Sequence, residues 1–121
     1  MFEAAVAHAI DAIGRTVVHS DPFDHIYVEG VFPEDFYRTL QANLPITEDY
    51  ERLADTARVS DNCNPERYFV GSSSPTLQAL PREQRDFWTG LFNALHAEQF
   101  AHSALTKFGP TIKERFARQA G

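Results

Sequence analysis

Asp21-Pro22-Phe23-Asp24-His25-Ile26-Tyr27-Val28-Glu29-Gly30-Val31-Phe32-Pro33-Glu34-Asp35-Phe36-Tyr37 is the run from which the architecture of this chain unfolds. Asp21-Pro22 breaks what precedes it. His25 to Glu29 is β-branched and aromatic, which predicts a strand, and Gly30 marks a turn at its end. Pro33 opens a helix, with Glu34 and Asp35 in the first turn where the helix dipole favours acid. Phe36, Tyr37, Leu40 and Leu44 give that helix an apolar face, and Pro45 stops it.

Toward the N-terminus, Phe2, Val6, Ala9, Ile10 and Ile13 fall at helical spacing, and Gly14 is placed to end that helix. Thr16-Val17-Val18 reads as a short strand. Toward the C-terminus, residues 46–65 are the least regular part. Tyr50 to Leu53 and Thr56 to Ser60 read as short extended pieces, and Asp61 to Pro65 as a turn. Arg67 to Val70 predicts a strand, and Gly71 to Pro75 a loop. Ser74 is placed to cap a short helix over Thr76–Leu80. Pro81 opens what reads as the longest helix, with Phe87, Trp88, Leu91, Phe92 and Leu95 as a wide apolar stripe. Gln99 to Phe108 continues helical, Gly109-Pro110 predicts a stop, and Ile112 to Gln119 starts another helix. The whole is an α+β reading, helices with a few short strands, over a single domain or partial domain spanning 1–121.

Composition narrows the function classes. The chain has 121 residues, 43% hydrophobic and 23% charged, which is globular rather than disordered composition. A formal charge of −6 argues against a general nucleic-acid binder, because phosphate neutralisation needs surplus Lys and Arg. The single cysteine, Cys63, excludes an internal disulfide and any multi-cysteine metal site. No apolar run approaches a membrane span, and Met1 to Val6 lacks a basic leader. A cytoplasmic, reducing location is the default reading and suits a lone cysteine.

Few residues invite chemistry. His19-Ser20-Asp21 and His96-Ala97-Glu98 are His-x-acid triplets, with His102 and Arg115 as a crude distal half of a facial iron triad. The geometry opposes this: His96 and Glu98 lie in a predicted helix, where residues two apart point about 200° apart. His25 reads as a core histidine satisfied by a backbone carbonyl, and Cys63 as an ordinary loop cysteine. Glu34/Asp35 and Glu48/Asp49 are carboxylate pairs, the first at a helix start, where acid serves the dipole. Gly71-Ser72-Ser73-Ser74 has one glycine and no following lysine, so it is no phosphate loop. Arg52, Arg58 and Arg67 stand among Tyr50, Tyr68 and Phe69 in the irregular middle. Arginine among aromatics lines pockets for anionic groups, and solvated surface arginine is the simpler reading.

The aromatic stripe from Phe87 to Phe92, with Phe100 and Phe108, is too apolar for small isolated helices. It needs a large partner surface, and the predicted strands are few and short. These helices are patterned to cover a sheet that residues 1–121 do not fully contain.

The run Asp21 to Tyr37, closing at Leu44-Pro45, resembles the opening of 2-oxoglutarate- and Fe(II)-dependent oxygenases of the prolyl-hydroxylase-like kind. There a segment of the form Pro-Phe-x-His, strand, Phe-Pro, helix, Leu-Pro precedes a catalytic jelly roll. Phe87-Trp88, Leu91, Leu95, Phe100 and Lys107-Phe108 are similar to the helical stretch that backs the major sheet. The resemblance runs from about residue 21 to 118 and includes no catalytic motif. It implies that the His-x-Asp pair, the distal His and the 2-oxoglutarate-binding Arg lie in a jelly roll after these helices. No metal or cosubstrate residue is carried onto any position here.

The resemblance therefore implies the N-terminal part of a double-stranded β-helix oxygenase. The full enzyme would use Fe(II) and 2-oxoglutarate, and residues 1–121 alone would bind neither. Its partner would be the remainder of the oxygenase or a second chain covering the aromatic helices, with self-association where they stay uncovered. Arg58, Arg67 and Tyr68 are the expected substrate contacts bordering the entrance. The alternative is a standalone binding module without chemistry, whose aromatic faces form its own core or an oligomer interface. A small enzyme built on Cys63 or a His/carboxylate pair is the third reading.

Overall fold

Helix α1 spans Phe2–Arg15, and its buried residues are Ala5, Val6, Ala9 and Ala12. Three small side chains on one face let a neighbouring helix approach closely, and the helix α5, Glu98–Ala120, packs against α1. In the computed structural model, residues 1–56 and 66–120 are described. The chain divides into two compact units, Met1–Arg38 with Asn93–Gly121, and Thr39–Phe92.

In the first unit, α1 runs past Gly14 and ends at Thr16, a correction to the expected glycine stop. Thr16 is extended, its N–H donates to Ile13 O, and its hydroxyl donates to Ala12 O at 2.8 Å. These bonds take two of the carbonyls that a helix end leaves open, so no left-handed glycine is needed. The two strands expected at Thr16–Val18 and His25–Glu29 are absent. One antiparallel bridge remains, His19 with His25, in which each N–H donates to the other's carbonyl at 2.8 Å. Residues 26–29 form no ladder, because among the described residues no strand runs beside them to take their hydrogen bonds. Gly30 makes the expected turn at φ +62°. Helix α2, Glu34–Ala42, starts where Pro33 predicts, with Tyr37 N–H donating to Pro33 O at 2.9 Å. Phe36 is buried and meets the rings of Phe2 and Phe32 at 6.1 and 5.1 Å.

Across this unit, Arg115 of α5 pairs with Asp24 at 3.0 Å, and Lys107 donates to Gly14 O at 3.0 Å. Helix α5 continues through Gly109-Pro110, against the expected stop and the expected separate helix from Ile112. Pro110 removes one N–H from the ladder. The residue before a proline normally avoids the helical region because its N–H and Cβ crowd the proline Cδ, and Gly109 lacks the Cβ. At 23 residues α5 is longer than the 14-residue helix that Pro81 opens, which corrects the expected ranking.

In the second unit, strands β1 (Glu51–Arg52) and β2 (Tyr68–Phe69) pair antiparallel, with Glu51 opposite Phe69 and Arg52 opposite Tyr68. Single 3-10 turns at Thr47–Asp49 and Leu53–Asp55 flank β1. Helix α3, Pro75–Ala79, is capped by Ser74, whose hydroxyl accepts from Thr76 N–H at 3.2 Å. Helix α4, Arg82–Leu95, follows. Leu77, Leu80, Phe87 and Leu91 are buried, and burial of each such side chain contributes about 1.5–3 kcal/mol. The Trp88 ring meets Phe87 edge-on at 5.3 Å and Phe92 at 5.8 Å. Among the described residues the chain is thus mostly helical with one small two-stranded sheet, an α+β composition.

Candidate functional site

The irregular middle of the chain builds an open cleft of about 620 Å³ in the second unit. The turn at Thr47–Asp49, the β1–β2 pair and the start of α3 form its walls. Tyr50, Arg52 and Tyr68 line it together with Glu48, Glu51 and Asp55. The pairing of Arg52 with Tyr68 places the guanidinium and the phenol directly across the ladder. Arg52 Nε stands 3.9 Å from Asp55. Glu51 accepts a hydrogen bond from the buried Ser74 hydroxyl at 3.2 Å, which ties the β1 wall to the α3 cap.

Tyr68 lines this cleft. Arg67, one residue earlier, is exposed, and its carbonyl oxygen accepts from Leu53 N–H at 2.9 Å, closing the hairpin. Arg58 and Cys63 lie outside the described residues, as do the extended piece expected after Thr56 and the turn at Asp61–Pro65. Among the described lining residues named above, three carboxylates stand against one guanidinium. That balance attracts hydrogen-bond donors and cations more than the anionic group expected of the central arginines. In the sequence, Arg52 stood with Arg58 and Arg67 as arginines that could line a pocket for an anionic group, Tyr50 was an aromatic neighbour, and Glu48 was half of a dyad with Asp49. The spacing of Glu48, Glu51 and Asp55, three and four apart across two tight turns, is the signal that would have grouped them.

Two further features flank helices. Leu44, Pro45, Tyr50, Val70, Trp88 and Phe92 enclose an apolar pocket of about 100 Å³, where the Trp88 indole donates to Asn43 O at 2.8 Å. In the first unit, His102, Ser103 and Lys107 of α5 line an open groove with Ile10 and Gly14 of α1.

The histidines are placed singly or in one pair. His8 contacts Val31 O through Nδ1 at 3.2 Å. His25 is half-buried, and its Nδ1 donates to Phe23 O at 2.7 Å, the backbone-carbonyl partner expected of it. Arg115, the suggested distal cation, is engaged by Asp24. Among the described residues, no three His, Cys, Asp or Glu side chains converge as a metal-ligand group. Among the described residues, no helix is long and apolar enough to cross a membrane.

No family model, curated protein or solved structure matches this chain.

Proposed function

We propose that this chain is the N-terminal portion of a 2-oxoglutarate- and Fe(II)-dependent oxygenase, a buttress for the catalytic jelly roll and not catalytic alone. The whole enzyme couples oxidative decarboxylation of 2-oxoglutarate to hydroxylation of a C–H bond. Iron and cosubstrate are supplied with ligands by the jelly roll.

The observation that carries this reading is helix α5. None of its 23 residues is buried, yet Leu105 is 69% exposed and Phe116 65% exposed. Leu105, Ile112 and Phe116 are spaced seven and four apart, so they share one face. A helix with an unburied apolar stripe is completed by another surface. Residues 26–29 support the same reading, being strand-like in composition yet without a ladder among the described residues. The sequence resemblance from Asp21 to Pro45 supplies the family. In this reading the Tyr50–Tyr68 cleft borders the substrate entrance, with Arg58, Arg67 and Tyr68 as substrate contacts.

A second reading, a standalone binding module, draws on the same cleft, whose walls are tied by Ser74 and Glu51 without outside help. Intact-mass measurement of the protein isolated from its own cells separates the two. The oxygenase reading predicts a mass well above 13.7 kDa, with a His-x-Asp pair and a distal His in the added sequence. A mass of 13.7 kDa, a cooperative melt and no copurifying chain would favour the module.

A further inference from the structure

We infer that His19 and His25 form a two-histidine site for a divalent transition metal of the imidazole-preferring group, with Zn2+ as the probe. The site is independent of the oxygenase reading and distinct from any iron centre.

Four observations carry it. First, the two residues face each other in a hydrogen-bonded antiparallel bridge, each N–H donating to the other's carbonyl at 2.8 Å. Residues directly opposite in such a pair project to the same side of the ladder. Second, the ring centres are 5.4 Å apart. An ion about 2.0–2.1 Å from an imidazole nitrogen lies ~3 Å from that ring's centre, so two imidazoles on one tetrahedral ion have centres ~5 Å apart. Third, His25 Nδ1 lies 2.7 Å from the carbonyl oxygen of Phe23. A carbonyl only accepts, so Nδ1 carries the proton and Nε2 of the neutral ring keeps its lone pair. A metal-binding histidine is commonly oriented in this way, by its other ring nitrogen donating to a carbonyl. Fourth, the loop joining the two histidines is anchored by Asp24, whose carboxylate, 11% exposed, pairs with Arg115 at 3.0 Å. The bridge is therefore held from outside, and the cost of bringing two imidazoles together is met in the fold.

His19 is exposed, so the ion is reached from solvent, and water completes its coordination. Two protein ligands make a modest site rather than a structural one. Imidazole nitrogens select Zn2+, Ni2+ and Cu2+ over Mg2+ and Ca2+.

The test uses the untagged chain and Zn2+ alone, followed by imidazole NMR signals and calorimetry. Saturable shifts at His19 and His25 are expected, with one ion per chain. His19→Ala and His25→Asn should each weaken binding by about tenfold or more. The asparagine amide retains a donor toward Phe23 O while removing Nε2, so lost affinity with an unchanged metal-free melt isolates ligation from folding. His102→Ala should leave binding unchanged. Retained affinity in His19→Ala, shifts confined to His96 or His102, or no saturable shift at millimolar Zn2+ would each overturn the assignment.

Discussion

Trp88 donates its indole N–H to the carbonyl oxygen of Asn43 at 2.8 Å, across 45 positions of sequence. The bond joins α4 to the residue just beyond α2, beside the pocket formed by Leu44, Pro45 and Phe92. The indole body is half-buried between the rings of Phe87 and Phe92 while its polar edge satisfies a backbone group that α2 leaves open at its C-terminal end. Trp88→Phe keeps most of the ring and removes the donor. It should lower stability by about 1 kcal/mol in urea denaturation. An unchanged midpoint would mean that water replaces the indole there.

Ser74 is buried, accepts from Thr76 N–H and donates to Glu51. Ser74→Ala removes the α3 cap and leaves Glu51 without that donor. A loss of about 1 kcal/mol is expected for the cap. Glu51→Ala combined with Ser74→Ala should cost less than the sum of the two single changes, since both break the same bond.

Leu91 is 3% exposed on α4. Leu91→Ala should destabilise the chain by about 2–5 kcal/mol, the usual range for a buried leucine truncated to alanine. Little change would mean that the apolar face of α4 is not the core of its unit.

Leu105 and Phe116 make the opposite prediction. Leu105→Ser and Phe116→Ser should change the stability of residues 1–121 by no more than about 0.5 kcal/mol, because neither side chain is buried there. In a longer protein that carries the proposed jelly roll, the same substitutions should lower stability by several times as much. Equal small effects in both settings would remove the reason for assigning this face to a sheet.

Helices were legible in this sequence wherever apolar spacing and a capping residue agreed. Pro33 with Glu34 and Asp35 marked the start of α2, and Ser74 marked α3. Gly109-Pro110 misled because the usual stop signal is a steric argument about the residue before proline, and a glycine there weakens it. The expected strand Arg67–Val70 and the extended piece Tyr50–Leu53 contain the observed pair β2 and β1, whereas the two N-terminal strands were legible as composition and not as structure. His25 to Glu29 has the side chains of a strand, but a strand exists only through a partner, and only His25 finds one, in His19. The cleft was half legible. Tyr68 and Arg52 were named from the mix of arginines and aromatics, whereas Glu51 on β1 and Asp55 in the turn after it enter the same wall without a periodic signal. The His19–His25 pair escaped notice because their bridge depends on a loop anchored by Arg115, 91 residues beyond Asp24.

The measurement that bears most directly on the central claim is succinate formation from 2-oxoglutarate, with Fe(II) and oxygen, by the protein isolated from its own cells beside residues 1–121 alone. The account predicts turnover by the isolated protein and none by residues 1–121. Absence of turnover by the isolated protein, at a mass of 13.7 kDa and with no copurifying chain, would contradict it.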